Sequence, residues 1–451
     1  MRKLFLLLLL MGAFAARSSA QHEHHKMQNM QEKKDTVPGK SKMEHDHAME
    51  HDHAMGHPMS HAYSLNLPMN RNGSGTSWLP DETPMYMYMT GKKTMWMFHG
   101  SLFLRYTNTD IFNKSIGADK FDAPNWFMVM MNRRVGKKGL FSAKAMISLD
   151  RLTEGGNGYP LLFQSGETYK GDPLVNRQHP HDLFAELSVG YSYAVNKNTD
   201  VFAYFGYPGE PAISAPAFMH RISAMNNPDA PLGHHWQDAT HITFGVGTLG
   251  FRYKQFKLEG SIFTGREPDE ERYGFDKARF DSYSYRVSYN PSPNWALQFS
   301  QGFINEPELL EPGVDVTRTT VSVLYAKKIS KAKDLNAALI WGFNDKGEEH
   351  KEHSLLLEDN YRFGRNALYS RYEWVQKSTE ELDLEDQLGH QTFNVHVFTA
   401  GYNRGIWKSK VVDLAAGTQV TLNFPASGLK PVYGNLPVGF QVYLQLRPVL
   451  Q

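Results

Sequence analysis

Imidazole and thioether ligands are crowded into one short stretch of this sequence. Nine of its 20 histidines fall between His22 and His61. Within that stretch a six-residue unit repeats, Met43-Glu44-His45-Asp46-His47-Ala48 and then Met49-Glu50-His51-Asp52-His53-Ala54. A degenerate third copy runs from Met55 through His57, with Met59 and His61 after it. Imidazole suits Cu(II), zinc and nickel, whereas the methionine thioether is soft and selects Cu(I) or Ag(I). A tract that interleaves both can hold copper in either oxidation state, and a zinc-only tract would gain nothing from its methionines. Histidines two apart also lie on the same side of an extended chain, within reach of one ion. The candidate ligands are therefore His45, His47, Met49, His51, His53, Met55, His57, Met59 and His61. Copper ions are expected, with zinc or nickel as alternatives.

Two long predicted loops carry a second group of ligand-type residues. One ends Gln178-His179-Pro180-His181-Asp182, and the next contains His220, His234, His235, Asp238 and His241. Consecutive strands would set these loops side by side at one rim. There His179, His181, Asp182, His220, His234, His235 and His241 could supply imidazoles and a carboxylate to zinc, copper or nickel. The equally weighted alternative is that these histidines hydrogen-bond within an ordered, proline-rich loop that plugs the barrel mouth. A catalytic reading makes His179, His181, Asp182, Glu210 and His220 bases, orienters or ligands. Neither a Gly-x-Ser-x-Gly elbow nor a His-Glu-x-x-His helix motif supports it.

These residues need a scaffold, and the chain signals one of the membrane type. Arg2 and Lys3 precede an apolar run from Leu4 to Ala16, and Ser18-Ser19-Ala20 fits a cleavage site, so residues 1–20 read as a secretory signal peptide. The run is too short to span a bilayer, and no later stretch approaches the length of a transmembrane helix. Residues 21–92 hold almost no aliphatic or aromatic residues in their ligand-rich part and are expected to be disordered. From 93 to 451 apolar residues recur at every second position. Trp96, Phe98, Leu102, Leu104 and Tyr106 oppose His99, Ser101 and Arg105, while Leu183, Ala185, Leu187, Val189, Tyr191 and Tyr193 oppose Glu186 and Ser188. Such alternation marks half-buried strands.

About sixteen such segments are expected, joined alternately by tight and long connections. Charges such as Lys144, Glu186, Glu259, Arg286, Arg318, Glu358, Arg362, Arg371 and Glu373 recur opposite the apolar face. The fold expected is all-β, a transmembrane antiparallel barrel with a polar lumen, preceded by the disordered His/Met-rich segment. Its place would be the outer membrane, with the N-terminal segment in the periplasm. The chain has no cysteine, which excludes disulfides and thiolate metal sites. A formal net charge of +1 gives no electrostatic case for nucleic acid.

The Met/His repeats of residues 43–61, behind a signal peptide and ahead of a β-rich region, resemble copper-resistance outer-membrane proteins of the copper resistance protein B type. The stretch from Gly206 to Gly250, with Gly-Tyr-Pro-Gly-Glu-Pro-Ala-Ile-Ser-Ala-Pro-Ala-Phe-Met-His-Arg and Gly-His-His-Trp-Gln-Asp-Ala-Thr-His, resembles an uncharacterised family of outer-membrane barrel proteins. The first resemblance implies metal tolerance or transport, with lipid, metal ions and periplasmic metal-efflux components as partners. The competing readings are an outer-membrane enzyme using the loop histidines and a plain diffusion porin.

Overall fold

The computed structural model describes residues 60–113, 117–347 and 350–451. Residues 1–59 lie outside it, and with them the expected signal peptide and the expected tract ligands His45, His47, Met49, His51, His53, Met55, His57 and Met59.

Sixteen antiparallel strands form a closed barrel. The first three are β1 (Thr94–Asn108), β2 (Asn125–Val135) and β3 (Gly139–Ile147). Next come β4 (Phe184–Asn196), β5 (Thr199–Gly206), β6 (Val246–Tyr253), β7 (Phe256–Phe263) and β8 (Ser282–Ser292). They are followed by β9 (Trp295–Ile304), β10 (Val316–Ser330), β11 (Lys333–Asp345) and β12 (Lys351–Phe363). The last are β13 (Asn366–Ser378), β14 (Thr392–Lys408), β15 (Val412–Phe424) and β16 (Val438–Pro448). Each strand pairs with its sequence neighbours, and β16 closes the ring on β1, Leu444 opposite Leu104. Closure leaves no unpaired sheet edge, which a hydrocarbon environment demands.

The period-2 pattern sorts as the alternation requires. Leu104, Leu249 and Tyr283 face outward at 56%, 72% and 61% exposure, while Arg286 on the inward face is fully buried. One expected outward residue is turned in. Ala185 sits at a register shift in β4 between Phe184 and Glu186, and the extra residue moves it to the buried side. Outward aromatic residues gather at both ends of the strands. Phe256 stacks on Tyr289 and Trp295 meets Tyr325 at the tight-turn end, while Tyr283 stacks on Phe303 at the other. Tight turns at 136–138, 254–255, 331–332 and 364–365 alternate with long connections at 148–183, 207–245, 264–281 and 379–391. The connection at 346–350 is a short one on the long-loop side. Among the described residues no helix is long and apolar enough to cross a membrane.

The lumen is filled. Connection 207–245 folds inward rather than standing at the rim, and inward strand residues bond its backbone. Arg371 donates to the Asp229 carbonyl, Gln445 to that of Met225, and Asn344 to that of His235. The Asp229 carboxylate accepts from Arg105 at 2.6 Å and from Gln419 and Gln441 at 2.8 and 2.7 Å. Glu358 pairs with Arg221 of this plug at 2.7 Å and with Arg371 at 3.2 Å, while Arg362 pairs with Asp334.

Residues 60–92, expected to belong to the disordered segment, are ordered. Residues 60–61 and 64–68 pair as a short hairpin, and Ser64 donates to Asp200 at 2.5 Å. Farther along, the Gly75 carbonyl accepts from Lys144 at 2.5 Å and Thr76 accepts from Arg286 and Lys257. His61 is 2% exposed inside this hairpin, so its ring belongs to the folded body of the protein.

Replacing Asp229 with alanine should leave the Arg105 guanidinium buried beside fewer acceptors, at a cost of roughly 3–5 kcal/mol. The heat-induced shift in gel mobility that marks barrel unfolding should then occur at lower temperature than in the unsubstituted protein. An unchanged midpoint would show that the plug is not held through Asp229.

Candidate metal centre

Five of the six loop histidines expected to act together do come together. His179 and His181 flank Pro180 just before β4. His234 and His235 open a one-turn helix, His234–Gln237, and His241 ends the turn Ala239–His241. The ring centres of His234 and His241 are 5.1 Å apart, those of His181 and His241 5.6 Å, and those of His234 and His235 5.5 Å. His179 lies 6.2 to 6.5 Å from His235, His181 and His234. Two imidazoles bound to one tetrahedral ion at about 2.1 Å have ring centres about 5 Å apart. His241 therefore stands from His234, and within about half an ångström from His181, at the ring separation that a shared ion needs.

The orientation of the rings is fixed from behind. His181 turns Nδ1 to Asp150 at 2.7 Å, His234 turns Nδ1 to Asp238 at 2.5 Å, and His241 turns Nδ1 to the Asp238 carbonyl at 2.7 Å. Each of these partners only accepts, so Nδ1 carries the proton and Nε2 keeps its lone pair. The Nε2 atoms of His181 and His241 are buried and have no hydrogen-bond partner. They border a cavity of about 20 Å³ that His179 and His234 also line, room for one ion or water. Metal-bound histidines characteristically have such a second hydrogen bond behind them.

Asp238 is the keystone of this arrangement. One carboxylate oxygen holds His234, and the other accepts from the Phe218 N–H at 2.9 Å and Arg221 at 3.1 Å. Burial opposes its charge, but His234 and Arg221 hold its carboxyl well below the usual range. Burial and the neighbouring imidazoles push His241 down to about 3 and His235 to about 3, which leaves neutral rings able to ligate.

A second ligand group adjoins the triad. Candidate ligand atoms of His235, Glu267 and Glu308 all lie within 4.8 Å of one another, and His235 Nε2 and Glu267 Oε1 are buried without partners. Gly166 permits this placement, since a Cβ there would stand 2.4 Å from the His235 ring.

Two expected members behave differently. Asp182 is bound to Arg272 at 3.2 Å, and burial raises it to about 7 against that pull. It borders the cavity as part of an ion pair. His220 packs against Trp126, ring centres 4.9 Å apart, and faces a separate chamber. Glu210, named in the catalytic reading, is placed beside Tyr204 and Arg286. Sequence reasoning missed Asp150, Glu267 and Glu308. Their only signal was acidic residues in long connections, and several other connections carry those too.

A closed sixteen-strand barrel with an apolar exterior and a polar, plugged interior defines an outer-membrane β-barrel protein. No protein-family profile and no curated protein matches the sequence. Solved structures similar to the chain include Salmonella typhi OmpF in complex with daunomycin, at 11% identity and a TM-score of 0.48, with 80% of this chain and 100% of that chain covered. The outer membrane channel DcaP of Acinetobacter baumannii shares 11% identity at a TM-score of 0.45, covering 81% and 99%. A loop-deletion mutant of OmpT, an outer membrane protein of Vibrio cholerae, shares 9% at 0.46, covering 79% and 99%. These likenesses concern architecture and bring no activity to this chain.

Long-range nitrogen-15 spectra of the histidine side chains should show His181 and His241 with the proton on Nδ1. Gly166→Ala should displace the His235 resonances while leaving those of His241 in place. Nε2 protonation of His241 would mean that the ring is turned the other way.

Proposed function

We propose that this protein is an outer-membrane barrel that binds transition-metal ions, copper first, in metal tolerance or transport. The observation that carries the reading is the triad His181, His234 and His241, whose Nδ1 atoms are committed to fixed acceptors around one ion-sized cavity. Imidazole and carboxylate donors there suit Cu(II), zinc and nickel. The tract from His45 to Met59 supplies the same imidazoles together with thioethers, which extends the ligand range to Cu(I).

Ser64 and Asn66 bond Asp200 and the Asn196 carbonyl beside the tight turn at 197–198, the end that faces the periplasm in outer-membrane barrels. On this reading the tract captures ions in the periplasm, where metal-efflux components would be its partners, and passes them to the barrel. The resemblance to the copper resistance protein B type rests on the tract and points the same way.

A second reading, a diffusion porin, is favoured by the barrel architecture and by a cavity of about 530 Å³ at the long-loop mouth. It predicts steady ion conductance in planar bilayers that copper leaves unchanged.

Calorimetric titration of the mature protein with Cu(II), zinc and nickel tests the first reading. A variant lacking residues 22–59 should retain one tight site, and adding His234→Ala and His241→Ala should abolish it. Asp150→Asn should weaken that site about 10- to 100-fold, because the carboxylate accepts from both the Asn125 N–H and His181 Nδ1, and an amide has one acceptor oxygen for the two. A shortened variant that binds none of the three metals would sink the histidine centre.

A further inference from the structure

We infer that the barrel contains a second, chemically distinct metal site, a thioether-lined chamber for a soft monovalent cation such as Cu(I) or Ag(I). The inference deepens the metal-binding reading and rests on it for biological purpose, though its geometry is independent of the triad.

The chamber measures about 160 Å³ and lies between the N-terminal segment, the inner wall at β1 and β2, and the plug. Eight of its lining residues are methionines, contributed from all three sides. On the wall, Met97 of β1 is directly opposite Met130 of β2, and His99 is directly opposite Met128. Cross-strand neighbours of this kind have Cβ atoms about 4.5–5.5 Å apart, and long side chains on diagonal positions also meet. Thioethers and an imidazole are thus presented as one converging patch. From the opposite side the plug brings Met219 and Met225, with His220 beside Trp126. Nε2 of His99 is buried and has no hydrogen-bond partner in the fold.

Methionine is a common filler of irregular cores, and filling alone would explain a scattered set. The distribution argues otherwise. No methionine follows Met225 in the sequence, although the barrel continues through eleven further strands and the same plug packs against them. There the inward positions are filled by Ala296, Leu324, Ile340 and Leu356, and by the tyrosines Tyr369 and Tyr443. The lumen can therefore be packed without sulfur, and sulfur is confined to one wall. Soft thioethers with one or two imidazoles select Cu(I) and Ag(I) over zinc or nickel.

The chamber adjoins the histidine centre, because His181 lines both cavities. It is also bordered by Met69, Met85 and Met87 of the segment that enters from the tight-turn end. A soft ion arriving from that end would meet thioethers first and imidazoles second.

Ag(I) is the probe of choice, since it keeps one oxidation state. The full mature chain, labelled with carbon-13 at methionine methyl groups, would be titrated with Ag(I) in detergent micelles. Single Leu substitutions assign Met97, Met128 and Met130, and leucine conserves their volume. We expect these three resonances to shift together and the M97L/M128L/M130L variant to lose about one bound Ag(I), with unchanged barrel unfolding. Shifts confined to methionines of the tract 27–59, or an undiminished Ag(I) count in the triple variant, would overturn the chamber. The H234A/H241A variant separates the two readings. Loss of Cu(II) with retained Ag(I) shifts at Met97 and Met130 supports two sites, whereas loss of both would reduce the chamber to an extension of the histidine centre.

Discussion

Everything in this structure depends on a single constraint: polar and charged side chains pointing into a sealed lumen must find partners there. A barrel with lipid outside must put its polar residues inside. An unpaired ion or amide that is shielded from water carries a penalty of several kcal/mol. The protein meets the constraint with its own chain. Connection 207–245 and residues 60–92 enter the lumen, and their carbonyls and carboxylates take the donors of the wall. Asp229 accepts from Arg105, Gln419 and Gln441, Glu358 binds Arg221 and Arg371, and Gly75 and Thr76 receive Lys144, Lys257 and Arg286.

The same constraint positions the histidines. A free surface loop would leave His181, His234 and His241 to rotate. Buried inside the barrel, each Nδ1 must be satisfied, and Asp150 of connection 148–183, Asp238 and the Asp238 carbonyl do so. Committing one nitrogen of each ring leaves the other free in rings that line a small cavity. Asp238 links this to the rest of the fold, because the carboxylate that fixes His234 also holds Arg221, and Arg221 in turn holds Glu358 of the wall. Ligand geometry and lumen packing are therefore one network. A change at Glu358 would be felt at His234 through two ion pairs.

Close backbone approaches show how tightly the plug is seated. A Cβ at Gly342 would lie 2.4 Å from the Trp236 carbonyl, so glycine on β11 is what lets the one-turn helix of His234 and His235 rest on the wall. Substituting a larger residue there would move the helix, and the His234–Asp238 pair with it.

The sequence alone determined the barrel, because period-2 alternation is a local property and survives any arrangement of the strands. It gave the outward faces, the alternation of tight and long connections, the polar lumen and the ligand types. Ala185 escaped because a bulge adds one residue without altering composition. Only the tertiary structure decided where the loops go. Nothing local distinguishes a loop that stands at the rim from one that dives into the lumen, since that depends on partners more than a hundred residues away, as Arg105 is from Asp229. The same holds for Asp182 and His220, which share spacing with the ligands but are taken by Arg272 and Trp126. It holds also for the methionines, which are scattered between 69 and 225 in the chain and meet at one chamber because strand register sets Met97 against Met130.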